Sequence, residues 1–132
     1  MERTLLIIKP DATERHLIGH IVSRLEKAGF AITAMKTHRL DKAEARRFYA
    51  VHEGKPFMDD LTDYMASGVI VPMVLEKNGA ITGLRTLIGA TDPAEADCGT
   101  LRQEIGRDKQ RNSVHASDST ESAETEIPFF FG

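Results

Sequence analysis

The sequence has a single cysteine, Cys98, and no apolar run approaching the ~18 residues that a membrane-spanning helix needs. One cysteine excludes an internal disulfide, and a reducing, cytoplasmic environment is the simplest inference from it. Charged residues follow Met1 at once, so no signal peptide is predicted. We therefore expect a cytoplasmic protein without a membrane partner.

An excess of positive charge is also missing, because 17 lysines and arginines stand against 20 acidic residues, a formal net charge of −3. Proteins that coat nucleic acids neutralise many phosphates, so no specific nucleic-acid partner is expected. No glycine-rich dinucleotide or Walker loop follows the first predicted strand, and no repeat is visible. With 132 residues the chain fits one domain, residues 1–132.

Apolar patterns of strand and helix type fill most of the chain. The run at residues 4–9, closed by Pro10, predicts a buried strand that ends at Lys9. The helical stripe that follows ends at Gly29, a residue type that commonly terminates helices. The predicted elements are strands at 4–9, 30–40 (an edge strand) and 69–75, helices at 17–28, 57–65 and 80–88, a helix from Asp41 through Tyr49, and a short strand and a helix after a long loop that ends near residue 101.

This order predicts an α+β protein, an α/β sandwich of ferredoxin-like βαββαβ type with a four-stranded antiparallel sheet and helices on its faces. The helices after the first and third strands are expected to share one face. The two short helices between the second and third strands predict a helical hairpin that stands off the domain. A doubly wound fold is disfavoured because the strands are too few. Pro72 conflicts with an interior strand, since proline cannot donate to the sheet.

The polar stretch before the last predicted helix contains one histidine, His115. Asp118, with Glu121 three residues later, predicts a capping box at the start of that helix. His115 would then precede a helix N-terminus, where backbone N–H groups and the helix dipole favour an anion such as phosphate. Glu126 could reach back and orient the ring. The alternative is a capped surface helix behind an ordinary histidine, and the spacing alone favours that alternative.

Residue blocks along the whole chain match one family in order. They are Ile8-Lys9-Pro10-Asp11, Phe48-Tyr49, Lys55-Pro56-Phe57, Gly89-Ala90-Thr91-Asp92-Pro93, Gly99-Thr100-Leu101-Arg102, and Asn112, His115, Ser117, Asp118, Ser119 and Glu121 around the histidine. With these blocks the chain resembles the nucleoside diphosphate kinases over almost its full length. The histidine motif is specific for this family.

The resemblance implies that the γ-phosphate of a nucleoside triphosphate passes to a nucleoside diphosphate in a ping-pong reaction, with Mg²⁺ carried on the nucleotide phosphates and no protein metal site. A neutral imidazole is nucleophilic near physiological pH, so a phosphohistidine is chemically sensible. By position, the resemblance implies that His115 is the nucleophile, that Glu126 is the carboxylate that orients it, and that Ser117 supports Glu126. The residues implied to hold the phosphates are Lys9, Arg85, Thr91 and Arg102, with Tyr49 near the γ-phosphate. Phe57 is implied to stack on the base, and Asn112, with Lys9, to contact the sugar hydroxyls.

Taken singly, each of these residues also has an ordinary structural interpretation, such as packing for Phe57 and Tyr49. The chain departs from the family at Ala116, where glycine is usual, at Val51 and Lys109, and at Pro72. It stops at Gly132, without the C-terminal extension that many members use between subunits. At least a homodimer is expected from the edge strand, and a tetramer or hexamer stays open.

Two other functions fit parts of the pattern. A non-catalytic nucleotide-binding or scaffolding member of the same fold would differ by an incomplete site, whereas every implied site residue is present here. A histidine phosphotransfer protein, which passes phosphate to proteins, would be a helical bundle with no need for Phe57. The number of predicted strands disfavours it.

Overall fold

The protein is described by a computed structural model that covers all of residues 1–132. Four strands form one sheet in the order β2-β3-β1-β4, with every neighbouring pair antiparallel. The strands are β1 (Glu2–Ile8), β2 (Ala31–Met35), β3 (Val71–Lys77) and β4 (Val114–Ala116). The predicted four-stranded antiparallel α+β architecture is confirmed.

Seven α-helices connect or follow the strands. They are α1 (Pro10–Glu14), α2 (Ile18–Lys27), α3 (Lys42–Phe48), α4 (Met58–Met65), α5 (Ala80–Ile88), α6 (Leu101–Ile105) and α7 (Thr120–Phe131), with short 3-10 turns at Ala50–His52 and Pro93–Glu95. The sequence did not predict α1 or α6, because a helix of five residues is too short to show an apolar period.

Helices cover both faces of the sheet. On one face α2 and α5 pack against Leu6 and Ile8 of β1, as expected for the helices after the first and third strands. On the other face the α3–α4 hairpin and α7 pack against Leu5 and Ile7, so the prediction that the hairpin stands off the domain is wrong. Successive side chains of a strand point to opposite faces, so a strand covered on both sides must be apolar throughout. The uninterrupted apolar run of β1 has this origin.

Pro72 lies in β3, an interior strand between β2 and β1. Its carbonyl accepts from the Lys36 N–H at 3.2 Å, so its ring nitrogen faces the β2 side one residue beyond Met35, the last residue of β2. The missing N–H therefore removes no hydrogen bond within the paired strands. The conflict seen in the sequence is resolved by the early end of β2.

The strand β2 forms one edge of the sheet, as its weak alternation predicted. Ile32 and Ala34 are partly buried and pack against opposite core clusters, because the register shifts at Thr33 between them, and Met35 is 44% exposed. An edge of this kind leaves backbone N–H and C=O groups unpaired on its outer side.

None of the helices combines the length and the apolar character that crossing a membrane requires.

Candidate active site

A cavity of about 620 Å³ opens between the α3–α4 hairpin, β4, α7 and the loop after α5. It gathers residues from distant parts of the chain. Of the site residues predicted from the sequence, those that line it are Lys9, Tyr49, Phe57, Arg85, Thr91, Arg102, Asn112, His115 and Glu126. Ser117 does not line it and is fully buried behind Glu126.

His115 is the central residue of β4 and pairs with Ile7 of β1. Its Nε2 lies 2.9 Å from Oε1 of Glu126, and the same oxygen accepts a hydrogen bond from Ser117 Oγ at 2.9 Å. Because a carboxylate only accepts, Nε2 must carry the proton and the lone pair is left on Nδ1. The arrangement fixes both the tautomer and the direction of the ring, and it leaves the Nδ1 lone pair without a hydrogen-bond donor.

The helix that supplies Glu126 begins one residue later than the capping box predicted. Its N-cap is Ser119, whose Oγ accepts from the Ser122 N–H at 3.1 Å, so the assignment of Asp118 as N-cap is wrong. Both residue types are good N-caps, and only the extended backbone at Ser119 decides between them. Asp118 instead lines the cavity, where a hydrogen bond from the Ser122 hydroxyl (2.6 Å) lowers the pKa of its carboxyl.

Lys9 and Asn112 meet at the back of the cavity, and both are almost fully buried. Lys9 Nζ donates to Asn112 Oδ1 at 3.0 Å and to the carbonyl of Gln110 at 2.6 Å. The Asn112 amide in turn donates to the carbonyl of Thr91 at 3.0 Å, which ties the loop after α5 to the segment that leads into β4. Burial, with the nearby charge of Arg102, lowers the pKa of Lys9 to about 8.

Arg102 and Arg85 approach the carbonyls of β4 from the cavity side. Arg102 is buried, and its guanidinium donates to the carbonyls of Gly89 (3.1 Å) and Val114 (2.8 Å). Arg85 is exposed and makes one long contact, 3.4 Å, with the carbonyl of Ala116. Burial and the charge of Arg85 lower the pKa of Arg102 to about 10, which still leaves it charged at neutral pH.

The cavity is electropositive and has an aromatic mouth. Four cationic side chains line it (Lys9, Arg85, Arg102 and Lys109) against two carboxylates (Asp118 and Glu126), which favours a polyphosphate ligand. Phe57 is 46% exposed and stands edge-on to His52, with ring centroids 5.3 Å apart. Tyr49 is buried, with its ring 6.0 Å from that of His115, and burial raises the pKa of its hydroxyl far above the usual value.

Sequence reasoning missed His52, which lines the cavity and stacks on Tyr49. Burial, followed by the charge of Lys55, lowers the pKa of His52, so its ring is predominantly neutral near pH 7. Its position between Tyr49 and Phe57 was the only signal in the sequence. That signal does not separate a site residue from a surface histidine.

Comparison with known proteins places these features in a family. Residues 2–132 match the sequence model of the family described as "Nucleoside diphosphate kinase". The nucleoside diphosphate kinase of Desulfatibacillum aliphaticivorans is 58% identical over 131 residues, which are 99% of this chain and 95% of that protein. The enzyme of Chlorobaculum tepidum is 53% identical, covering 99% of this chain and 94% of that protein.

Solved structures agree with the sequence relatives. The nucleoside diphosphate kinase of Aquifex aeolicus superposes with a TM-score of 0.97 at 45% identity and covers 99% of this chain and 95% of its own. That of Halobacterium salinarum, solved in complex with CDP, has a TM-score of 0.95 at 42% identity, with 98% and 87% covered. The chain, with its histidine strand and cationic cavity, belongs to the nucleoside diphosphate kinase family.

Proposed function

We propose that the chain works as a nucleoside diphosphate kinase by a two-step, ping-pong transfer through a phosphohistidine on His115. The lone pair of Nδ1 attacks the γ-phosphorus of a nucleoside triphosphate, the bond to the β–γ bridging oxygen breaks, and the diphosphate leaves with that oxygen. A second nucleoside diphosphate then attacks the phosphohistidine through a terminal β-phosphate oxygen, which restores the neutral ring.

One observation carries this proposal: the ring of His115 is held through Nε2 inside an electropositive cavity, which leaves Nδ1 as the nucleophile. Glu126 stabilises the positive charge that develops on the ring during attack, and Ser117 keeps the Glu126 carboxylate in place through its hydroxyl. Tyr49 and Phe48 pack edge-on against the same ring and limit its rotation.

Lys9, Arg85 and Arg102 are proposed to hold the phosphates, with Thr91 at the same end of the cavity. Phosphoryl transfer depends on positioning and charge stabilisation, so cations fixed by hydrogen bonds before the substrate binds are well suited to it. Asn112, held beside Lys9, is proposed to contact the sugar hydroxyls. The CDP complex of the Halobacterium salinarum relative supports a nucleotide as the ligand of this fold.

Mg²⁺ is proposed to enter with the nucleotide. No group of three His, Cys, Asp or Glu side chains lies close enough together to hold a metal ion. Mg²⁺ commonly keeps several waters and binds through substrate phosphates and one or two carboxylates, and Asp118 is the cavity carboxylate outside the His115–Glu126 pair. These residues fit an ion carried on the phosphates, where it would neutralise their negative charge.

Phe57→Ala should weaken the binding of purine and pyrimidine nucleotides alike, by about 1–3 kcal/mol. The half-exposed ring at the mouth is proposed to stack on the base, and every base has a face to stack on. Dissociation constants for ADP, GDP, CDP and UDP measure the effect. Val51→Ala removes an apolar side chain at the same rim, 81% exposed, and serves as the control with little change. A loss confined to one base would contradict a general stacking role.

Nucleotide affinity should fall as the pH rises through about 8, the pKa of Lys9 in the free protein. A bound phosphate favours the protonated amine and raises this pKa again, so above pH 8 binding must take up a proton. The dissociation constant then increases by up to about tenfold per pH unit until the pKa of the complex is reached. Calorimetric titrations with ADP in buffers of different ionisation enthalpy measure this uptake. The Lys9→Met variant should bind ADP more weakly and without this proton uptake. An unchanged proton uptake in that variant would assign the effect to another group.

The outer edge of β2 is proposed to join two subunits, so that the protein is at least a homodimer. Met35 at the end of this strand is half-exposed, and β4 at the other edge has only three residues. Sedimentation velocity at micromolar concentration should show a dimer or a larger assembly, and a monomer alone would contradict this proposal.

We further propose that residues 1–132 act as one domain and that the enzyme works in the cytoplasm.

The proposed function is tested directly by incubating the protein with γ-labelled ATP and Mg²⁺. Acid-labile label should appear on the protein and pass into GDP added afterwards. Label that never appears on the protein, with transfer still observed, would indicate direct transfer between nucleotides. Binding of nucleotides with neither label nor transfer would indicate a non-catalytic member of the family.

A further inference from the structure

A second group of polar side chains, two of them buried and two partly buried, lies outside the cavity lining. It consists of Asp11, Arg15, Tyr64 and Ser113, called here the Asp11 cluster. Asp11 Oδ2 lies 3.2 Å from both Arg15 Nη2 and Ser113 Oγ, while its Oδ1 accepts from the hydroxyl of Tyr64. Asp11 is 4% exposed and Ser113 is fully buried, so the contact between these two residues is shielded from water, whereas Arg15 and Tyr64 are partly exposed.

Ser113 has an unusual backbone conformation, with φ of 78°. The Val114 N–H donates to the carbonyl of Asn112 at 3.0 Å, a hydrogen bond that spans Ser113 alone. A three-residue hydrogen bond around a residue with φ near 75° is the classic γ-turn, which is rare and strained for residues other than glycine. Such a conformation persists only where its surroundings hold it.

The surroundings of Ser113 supply that support on every side. Its Oγ accepts from Arg15 Nη2 and has both Asp11 Oδ2 and the carbonyl of Ile105 at 3.2 Å as acceptors for its own proton. Its carbonyl accepts from the Lys9 N–H at 2.9 Å. The side chain therefore binds the cluster and the main chain binds the segment that leads to Lys9.

The γ-turn separates two residues of the proposed reaction. Asn112 precedes it and bonds Lys9 Nζ, whereas His115 follows it by two residues in β4. If Ser113 relaxed to a negative φ, the chain direction would change between these side chains, and Asn112 would move relative to His115. A displacement of about 1 Å at a reacting group can reduce the rate roughly a hundredfold.

We infer that the Asp11 carboxylate, with Arg15, locks Ser113 in the γ-turn through its hydroxyl and so positions Asn112 and His115 for phosphate transfer. Asp11 and Ser113 are positioning residues, because neither lines the cavity. The inference rests on the proposed role of His115 as nucleophile. Burial and the hydrogen bond to Asp11 raise the pKa of the Tyr64 hydroxyl, so Tyr64 stays a donor to Oδ1 and leaves Oδ2 to Arg15 and Ser113.

The test compares Ser113→Ala with Ser113→Gly, which lose the same hydroxyl but differ in backbone freedom. Alanine disfavours positive φ, whereas glycine adopts it without steric cost. We expect Ser113→Ala to lower the single-turnover rate of phosphoenzyme formation by at least about tenfold, with a larger effect on kcat than on KM. Ser113→Gly should recover most of this loss. Equal losses in both variants, or a parent-like rate in Ser113→Ala, would overturn the inference.

The Asp11→Asn variant provides an independent test of the inference. It should slow phosphoenzyme formation when Ser113 is present and add little in the Ser113→Gly background, since two residues that act through one conformation are not additive. An equal loss from Asp11→Asn in both backgrounds would contradict the lock. His16→Ala is the matched control, because His16 is the other non-glycine residue with positive φ (60°), is exposed, and should not change the rate.

A readout that does not need catalysis separates this inference from the proposed function. The ¹⁵N shifts of the His115 ring report its hydrogen bond to Glu126; we expect them to change in Ser113→Ala and to stay close to the parent values in Ser113→Gly. If the parent forms no phosphoenzyme, the proposed function fails and these shifts still decide the inference. Unchanged shifts in a folded Ser113→Ala protein would overturn it.

Discussion

Replacing His115 with asparagine is expected to abolish phosphoenzyme formation and to reduce transfer between nucleotides by at least about four orders of magnitude. Asparagine has no ring nitrogen with a lone pair to attack phosphorus. Nucleotide binding should remain, because the proposed contacts to base, sugar and phosphates come from other elements, among them Phe57, Lys9 and Arg102. The variant therefore removes the chemistry and leaves the binding site in place.

Label on the protein, steady-state transfer and nucleotide affinity should be measured on the same folded preparation. Glu126→Gln is the graded companion, since an amide can still contact Nε2 but no longer stabilises the charge on the ring. We expect about a tenfold to hundredfold loss of kcat with phosphoenzyme still formed. A rate near that of the parent in His115→Asn would rule out the covalent mechanism.

Arg102→Met should produce the second largest loss, because Arg102 is proposed to act on the phosphates and also holds the loop after α5 against β4. The carbonyls of Gly89 and Val114 would lose their donors, at a cost of about 1–3 kcal/mol in the free energy of unfolding. The buried Nε of Arg102 has no acceptor, and its removal offsets part of this cost. Transfer should fall about 10²- to 10³-fold, as for the loss of one fixed charge at a transition state.

Arg85→Met is the matched control for this change. Arg85 lines the same cavity but is exposed and makes one 3.4 Å contact, so its loss should reduce transfer with a change in unfolding free energy below about 0.5 kcal/mol. Urea denaturation and steady-state kinetics of both variants separate the two effects. Equal destabilisation by both substitutions would show that the bonds to Gly89 and Val114 do not stabilise the loop.

The accuracy of the predictions from sequence differs from element to element. The helix at residues 80–88 was predicted with its observed bounds, and Asp41 forms the capping box of α3 with Glu44, because periodicity and caps are decided by near neighbours. The cap of α7 was misplaced by one residue, since Asp118 and Ser119 are equally suitable locally. The five-residue helices α1 and α6 carry too little periodic signal to be recognised.

The sequence by itself determined the apolar character of β1, the positions of the longer helices and the order of the family's motif residues. Only the tertiary structure decided which of these residues meet. Lys9 and Asn112 are 103 positions apart and become neighbours because β1 and β4 pair at the centre and edge of one sheet. The hydrogen bond from His115 to Glu126 and the γ-turn at Ser113 likewise depend on contacts with separate elements, α7 for the first and α1 for the second. Preferences for helix, strand and cap formation depend on neighbouring residues in the sequence, whereas these contacts form only after the sheet has brought distant segments together.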